Sequence, residues 1–216
     1  MRITTAAVPP FFKNGYVVAC EHTGEAILID PGDEVPQLLD VVSKQSLRVK
    51  FILLTHAHLD HITGVGAAKA ALNVPIWLHR DDLFLYEALV EQGRMFGIRT
   101  EPQPPVDAFF VPGRPLTFGR YVVDVLWTPG HCPGGVCLAV GLAGGDAREL
   151  FVGDTLFAGS VGRTDLPGGD AGRLIRSIHE VLFRFPDDTV VHAGHGPVTT
   201  IGKERKDNPF CYTPQV

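Results

Sequence analysis

The sequence Thr55-His56-Ala57-His58-Leu59-Asp60-His61 holds three histidines and one aspartate within six residues, directly after the apolar run Phe51-Ile52-Leu53-Leu54. A short continuous apolar run of this kind predicts a strand that is buried on both faces. Open α/β sheets bind their ligands at the carboxyl ends of such strands. Imidazole nitrogens and carboxylate oxygens are ligand types that zinc and iron accept. The pattern therefore predicts a metal site at a strand end.

The spacing inside this stretch favours two metal positions. In extended backbone, His56 and His58 point to the same side, because side chains alternate with a period of two. Asp60 and His61 follow where the chain turns towards a helix, and they could serve a second metal. The alternative is an ordinary cluster of histidines, but this would leave several polar rings without partners in apolar surroundings, which is costly.

Three later strand-like runs also end in metal-type ligands. His131 follows Trp127-Thr128-Pro129-Gly130, Asp154 follows Phe151-Val152-Gly153, and His195 lies between Gly194 and Gly196. Each of these alone is typical of a turn or capping residue. Four strand ends that all deliver metal-type ligands favour one shared site.

The rest of the chain predicts an α/β protein. Strand-like runs alternate with helical patterns in the first half, including a helix predicted over residues 81–92. The second half has strand-like runs over residues 121–127, 136–140 and 150–152, followed by an amphipathic helix over residues 174–185. No stretch has the character of an interdomain linker, so we expect residues 1–216 to form a single domain.

Composition excludes several classes of function. The 216 residues are 45% hydrophobic, and 19 basic against 24 acidic residues give a net charge of −5. A chain of this kind can bury a core, and it is a poor general binder of nucleic acid or of an anionic membrane surface. No apolar run approaches the roughly 18 residues of a membrane span, and the first residues lack a signal core. We therefore expect a cytoplasmic protein.

The ligand pattern resembles that of the metallo-β-lactamase fold superfamily, whose H-x-H-x-D-H motif precedes a distant His, an Asp and a final His. The resemblance covers nearly the whole chain and implies a four-layer αββα sandwich. Within the superfamily, the chain looks most like the short bacterial forms of glyoxalase II, the hydroxyacylglutathione hydrolases. Gly153-Asp154-Thr155-Leu156-Phe157, Gly194-His195-Gly196-Pro197 and Asn208-Pro209-Phe210 carry this second resemblance.

The resemblance implies a role for each ligand position and two divalent metal ions, for which we expect zinc, with iron or manganese as alternatives. A hydroxide that bridges the metals would attack a thioester carbonyl, such as that of S-lactoylglutathione. Asp60 would act both as a ligand and as a catalytic residue that orients the hydroxide. The implied sets are His56, His58 and His131 for the first metal, Asp60, His61 and His195 for the second, and Asp154 as the bridge.

The chain departs from longer glyoxalase II enzymes, which carry a C-terminal helical domain that binds glutathione. Only 21 residues follow His195. Arg163 is therefore a candidate for binding the anionic substrate, and the alternative is an ion pair with Asp165 that fixes the loop. Asp30 is either a turn residue or a partner that holds a ligand histidine. Cys132 is either a small turn residue or an additional ligand or redox group.

Other functions fit parts of the same pattern. A persulfide dioxygenase with one iron shares the H-x-H-x-D-H motif and the Gly-Arg-Thr-Asp stretch at residues 162–165. A lactonase of the same fold is a further alternative, and a non-catalytic metal-binding or redox module is an alternative from a different class. We expect a small-molecule thioester, derived from glutathione, as the partner; the sequence does not specify the oligomeric state.

Overall fold

Two six-stranded sheets form the centre of the protein in a computed structural model that describes residues 1–211. The strands of the first sheet lie in sequence order. Strand β2 pairs antiparallel with both β1 and β3, and strands β3 to β6 run parallel to one another. Its strands are β1 (Arg2–Ala6), β2 (Gly15–Ala19), β3 (Glu25–Ile29), β4 (Arg48–Leu53), β5 (Ile76–Leu78) and β6 (Ala108–Phe109).

The second sheet has the order β14-β13-β10-β9-β8-β7, in which only β10 and β13 pair in parallel. A separate two-stranded ribbon of β11 and β12 follows β10. The strands are β7 (Leu116–Phe118), β8 (Tyr121–Trp127), β9 (Val136–Leu142), β10 (Glu149–Gly153), β11 (Leu156–Phe157), β12 (Ser160–Val161), β13 (Val190–Ala193) and β14 (Thr199–Thr200).

Seven α-helices cover the outer faces of the sheets in the described part of the chain. They are α1 (Val35–Lys44), α2 (Leu59–Ile62), α3 (Val65–Leu72), α4 (Leu83–Glu87), α5 (Leu89–Met95), α6 (Ala171–Glu180) and α7 (Ile201–Asp207). Single 3-10 turns lie at Arg80–Asp82 and Leu182–Arg184. Within residues 1–211, no helix combines the length and the apolar character that a membrane crossing requires.

Alternation along the strands separates three apolar layers. In β2, Tyr16 and Val18 face the core between the two sheets, whereas Val17 packs towards the helices on the other side. Phe118 and Phe151 of the second sheet enter the same inter-sheet core. On the outer face of the second sheet, β9, β10 and β13 pack against α6. Since each sheet is covered by helices on one face and by the other sheet on the opposite face, the predicted four-layer αββα sandwich is confirmed.

Two predicted helices differ from the structure. The helix predicted over residues 174–185 is α6, which ends at Glu180 and is followed by the 3-10 turn at Leu182–Arg184. Residues 81–92 form a 3-10 turn and then α4 and α5, which meet at Ala88 where ψ is 16° instead of helical. Asp82 is buried because its carboxylate accepts hydrogen bonds from two neighbouring loops. These long-range contacts override the local helical pattern, and the resulting bend places α5 beside the histidine-rich loop.

Candidate metal centre

Three histidines that the sequence assigned to one metal converge at the carboxyl edge of the sheets. His56, His58 and His131 are buried, and one ring nitrogen of each lies within 4.8 Å of the other two. His131 Nε2 is 2.7 Å from His58 Nδ1 and 3.2 Å from His56 Nε2. A tetrahedral metal site needs several nitrogen or oxygen ligands close together, and this arrangement provides three nitrogens.

A second cluster adjoins the first. Asp60, His61 and His195 also place one ligand atom each within 4.8 Å of the others. Asp60 Oδ2 is 3.1 Å from His195 Nε2 and 3.7 Å from His61 Nε2. The mixed nitrogen and oxygen ligands suit zinc, iron or manganese.

Asp154 lies between the two clusters. Its Oδ1 is 3.3 Å from His61 Nε2, and its Oδ2 is 3.8 Å from His131 Nε2 and 3.6 Å from His195 Nε2. Oδ2 thus lies between a histidine of each cluster, where a carboxylate can bridge two ions. The structure therefore brings together all seven residues that the sequence predicted as ligands.

Glycines make room for this crowding. A Cβ atom at Gly194 would overlap Asp154 Oδ1 and the His61 ring. Gly153 has a positive φ of 48°, and a Cβ there would collide with the Thr55 side chain. The Gly-rich flanks of Asp154 and His195 thus allow two strand ends to approach within contact distance.

Three of the ring nitrogens that point away from the clusters are held by hydrogen bonds. His56 Nδ1 is 3.1 Å from Thr55 Oγ1, and His61 Nδ1 is 3.0 Å from Asp30 Oδ2. His131 Nδ1 is 2.7 Å from the carbonyl oxygen of Arg163. When Nδ1 donates the proton, Nε2 presents its lone pair to the cluster. These bonds therefore fix the tautomers that metal binding needs.

Asp30 is the central partner of this network. Its Oδ1 accepts from the Thr55 backbone N–H at 2.7 Å, and its Oδ2 accepts from the Thr55 hydroxyl at 2.5 Å as well as from His61. Asp30 also has a positive φ of 47°, as a turn residue does. Asp30 is therefore both a turn residue and a partner of the predicted ligand His61, which are the two roles that the sequence left open. Although Asp30 lies close enough to His56 and His61 to ligate a metal with them, its oxygens are already engaged, so we assign it as a positioning residue.

The sequence analysis did not identify two residues that hold the ligand loops, Asp82 and Gln92. The Asp82 carboxylate accepts from Ala57 N–H at 3.1 Å and Gly134 N–H at 2.6 Å, which ties the His56–His58 loop to the His131 loop. The buried Cys132 also donates its Sγ–H to Asp82, at 3.1 Å. Cys132 therefore acts as a buried turn residue rather than as a ligand.

Gln92 clamps the histidine-rich loop to α4 and α5. Its Oε1 accepts from Leu59 N–H at 3.0 Å, and its Nε2 donates to the carbonyls of Ala57 and Leu85 at 2.9 and 2.8 Å. Nothing in the spacing of the sequence singles out Gln92 or Asp82. Their hydrogen bonds to the ligand loops span 25 to 52 residues of chain, which only the tertiary structure reveals.

Arg163 forms a bidentate ion pair with Asp165, with both nitrogen–oxygen distances at 2.7 Å. This pair holds the pKa of Asp165 down to about 2. The Arg163 side chain is 54% exposed and also lines the cleft above the clusters. The structure thus contains the ion pair that the sequence offered as the alternative to substrate binding, and Arg163 is also one of the residues that line the cleft.

Burial and neighbouring charges set the protonation of the cluster. Burial, followed by repulsion from the other imidazoles, holds the pKa of His56 well below 6.5 and lowers the pKa of His58 to about 3. Burial opposes protonation of His61, but the carboxylates of Asp60 and Asp154 outweigh it and raise its pKa to about 10. Burial likewise opposes ionisation of Asp154, but His61 and other imidazoles hold its pKa well below the usual range.

This charge arrangement suits cations. Neutral imidazole is the form that binds a metal, and His56 and His58 are neutral at pH 7. Protonated His61 offsets the charge of two buried carboxylates, so a cation bound between them would take over that role and release the His61 proton.

Unsatisfied polar atoms also point to metal ligation. Among residues 1–211, four buried side-chain polar atoms lack a hydrogen-bond partner, and three of them are His58 Nε2, His61 Nε2 and Asp154 Oδ1. Buried polar atoms without partners are costly and need an explanation. For His61 Nε2 and Asp154 Oδ1, which face each other between the clusters, a metal supplies one. The residues therefore fit a metal centre.

Comparisons with known proteins agree with this geometry. Hydroxyacylglutathione hydrolase GloC of Haemophilus influenzae is 37% identical, and the match covers 97% of this chain and 98% of that protein. The crystal structure of TTHA1623 in a di-iron-bound form has a TM-score of 0.83 and 40% identity, covering 96% of this chain and 99% of that one. The crystal structure of BLEG-1 B3 metallo-beta-lactamase has a TM-score of 0.88 and 35% identity, covering 98% and 100%.

The family model of the metallo-beta-lactamase superfamily matches residues 8–195, which include all seven predicted ligands. Together with the αββα sandwich and the paired histidine and carboxylate clusters at its edge, this match establishes that the chain belongs to the metallo-beta-lactamase superfamily.

Proposed function

We propose that the chain is a hydrolase with two metal ions that cleaves a thioester such as S-lactoylglutathione. The observation that carries the proposal is the pair of ligand clusters with Asp154 between them. His56, His58 and His131 would hold the first ion, and Asp60, His61 and His195 the second. We propose zinc as the metal, with iron or manganese as alternatives.

Two ions held by these residues would lower the pKa of bound water and would polarise the carbonyl oxygen of the substrate. The chain's own residues do the rest. Asp60 Oδ2, 3.1 Å from His195 Nε2, lies where it can accept a proton from water and orient the oxygen towards a substrate. Asp30 and Thr55 keep the histidines in their ligating tautomers. No serine or cysteine nucleophile is required.

A cleft of about 180 Å³ above the clusters provides the substrate site. Asp60, His58 and Asp154 lie at its base, and Phe11, Phe96 and Leu166 contribute apolar walls. Apolar walls exclude water from the reacting carbonyl and strengthen the electrostatic interactions within the cleft. Arg163, on the rim, is the cation that we propose for binding a carboxylate of glutathione.

Several expectations from the sequence belong to this proposal. We propose that residues 1–216 act as one domain. The partner is a small-molecule thioester rather than a nucleic acid or a membrane, and the site of action is the cytoplasm. The name of the Haemophilus influenzae relative supports the thioester as substrate.

A second candidate substrate is a β-lactam. The relative called a B3 metallo-beta-lactamase favours it, because that chain matches this one over its whole length. The same metal centre could attack the β-lactam amide carbonyl, so the two activities differ only in how the cleft binds the substrate.

Metal-loaded protein tests the proposal. We expect S-lactoylglutathione to be hydrolysed, with loss of the thioester absorbance and release of glutathione, and without consumption of oxygen. A β-lactam chromophore and glutathione persulfide are assayed in parallel. Oxygen consumption with glutathione persulfide, or hydrolysis of the β-lactam alone, would contradict the thioesterase proposal.

A further inference from the structure

An apolar cavity of about 210 Å³ lies beside the metal centre. Phe84, Leu85 and Ala88 of the α4 segment form one wall, Met95 and Phe96 at the end of α5 form another, and Leu166 closes the third side. Among the residues of α4 and α5 that line the cavity, Glu91 and Gln92 are polar. Gln92 is already engaged with three backbone partners, so it offers the cavity little polarity.

The rim of this cavity exposes large apolar side chains. Phe84, Met95 and Phe96 are 48%, 66% and 41% exposed, although all three lie within 13 residues of one another. Single exposed apolar residues are ordinary, but a contiguous group beside a cleft marks a binding surface. Burying these side chains against an apolar ligand would be favourable in proportion to the area covered.

The cavity is continuous with the cleft above the metal centre. His58, Gln92, Phe96 and Leu166 line both spaces. A substrate whose carbonyl carbon lies over the clusters can therefore extend one substituent into the cavity. Arg163 lines the cleft but not the cavity, so the cationic residue borders the cleft and the cavity is lined by other, mostly apolar residues.

We propose that this cavity binds the acyl group of the substrate and that the enzyme prefers thioesters with medium-length aliphatic or aromatic acyl groups over the lactoyl group. The proposal rests on the thioesterase function proposed above. Glutathione carries charged carboxylates and an ammonium group, and their desolvation in an apolar cavity would be costly. The thiol half therefore belongs on the Arg163 side and the acyl half in the cavity.

The size of the cavity limits the acyl group. Taking roughly 30 Å³ for each methylene-sized group, as for a water molecule, the space holds on the order of six or seven such groups. A lactoyl group has three carbons and a hydroxyl, so it leaves most of the apolar surface uncovered. Full burial of each added methylene increases kcat/KM by roughly fourfold until the cavity is filled.

A series of glutathione thioesters with lactoyl, butanoyl, hexanoyl, octanoyl and dodecanoyl groups tests this proposal. We expect kcat/KM to rise from lactoyl to hexanoyl or octanoyl and then to level off or fall. In Ala88→Phe, which fills the cavity, we expect the rise with chain length to disappear, so that hexanoylglutathione loses much more of its kcat/KM than lactoylglutathione does. Ala71→Phe is the matched control, because Ala71 lies exposed on α3 outside the cavity.

Two further measurements keep the test independent of turnover and of the fold of one variant. S-hexylglutathione is a thioether that cannot be hydrolysed, and by calorimetry we expect it to bind at least tenfold more tightly than S-methylglutathione. Met95→Gln changes only an exposed rim residue, so it should fold normally and weaken S-hexylglutathione binding by several fold. Leu142→Gln, an exposed apolar residue on the second sheet, is its control.

The outcomes separate the two proposals. If lactoylglutathione is hydrolysed but the acyl series is flat, the cavity proposal is wrong and the thioesterase function stands. A chain-length effect that persists unchanged in Ala88→Phe also overturns the assignment to this cavity. If no thioester is hydrolysed by metal-loaded protein, the proposed function itself is wrong.

Discussion

Replacement of Asp30 by asparagine tests how the structure prepares His61 for metal binding. The asparagine oxygen would keep the bond from the Thr55 backbone N–H, which is 2.7 Å long in the native protein. The amide NH₂ would then take the place of Oδ2, 3.0 Å from His61 Nδ1. The Thr55 hydroxyl can accept instead of donate, so it adapts, but the His61 N–H would face another donor.

Two responses are open to His61, and both weaken the second metal site. The ring either moves its proton to Nε2, which blocks the lone pair that faces Asp60 and Asp154, or leaves a buried N–H without a partner. Loss of such a partner costs about 10- to 100-fold in metal affinity. This corresponds to about 1.4–2.7 kcal/mol, and an unpaired buried donor costs about 1–3 kcal/mol, so both responses predict a similar loss.

The assay is a competition titration of the metal-free variant with a chromophoric chelator, which yields the affinity of each site. We expect one of the two sites to lose affinity 10- to 100-fold, with a smaller change at the other. Asp33→Asn is the matched control, because it removes the same charge from the same loop, and Asp33 bonds the Thr63 hydroxyl instead of a ligand histidine. Folded Asp30→Asn protein with both affinities within twofold of the native values would refute the reasoning.

Four other predictions address the surroundings of the site. Gly194→Ala should remove at least one metal ion per chain in plasma emission spectroscopy, because its Cβ would displace the Asp154 carboxylate. Gly145→Ala should keep the metal content, because a Cβ there would make only ordinary contacts. Lys13→Ala should lower the free energy of unfolding by about 3–5 kcal/mol in urea titrations, because it leaves buried Glu34 without its ion-pair partner. The double variant Lys13→Met, Glu34→Gln should lose less free energy of unfolding than the sum of the losses in the Lys13→Met and Glu34→Gln single variants. Arg163→Ala should raise KM for lactoylglutathione by roughly two- to fivefold, as expected for a half-exposed ion pair, and leave a neutral thioester unaffected. Zinc at a hundred times its dissociation constant should raise the free energy of unfolding of metal-free protein by about 2.7 kcal/mol, and no rise in the melting temperature would contradict a site that is specific to the folded state.

The residues that the sequence predicted as ligands lie close together, and most of them follow strands whose apolar pattern is clear from the sequence alone. The apolar run before His56 and the glycine-flanked Asp154 and His195 are local signals, and the sheet edge that they share follows from the layered fold. The role of Asp30 could be framed from sequence only as two alternatives. Its structure satisfies both, since one residue makes the turn and holds His61.

The remainder of the site depends on contacts between distant parts of the chain. Asp82 and Gln92 reach loops that lie far away in sequence, and neither belongs to a recognisable motif. The prediction of one helix over residues 81–92 was wrong for the same reason. The chain bends at Ala88, between Asp82 and Gln92, and local helix propensity does not indicate this bend. The apolar cavity that we assign to the acyl group arises from this bend, so no pattern in the sequence indicates it.

The number of metal ions per chain is the most direct test of the dinuclear hydrolase that we propose. Plasma emission spectroscopy on the native protein and on Asp154→Asn, both purified with excess zinc, measures it. We predict two ions per native chain and the loss of one or both in the variant, because an amide lacks the charge and the second strong acceptor that a bridge needs. One iron per native chain, or two tightly bound ions in Asp154→Asn, would contradict the account.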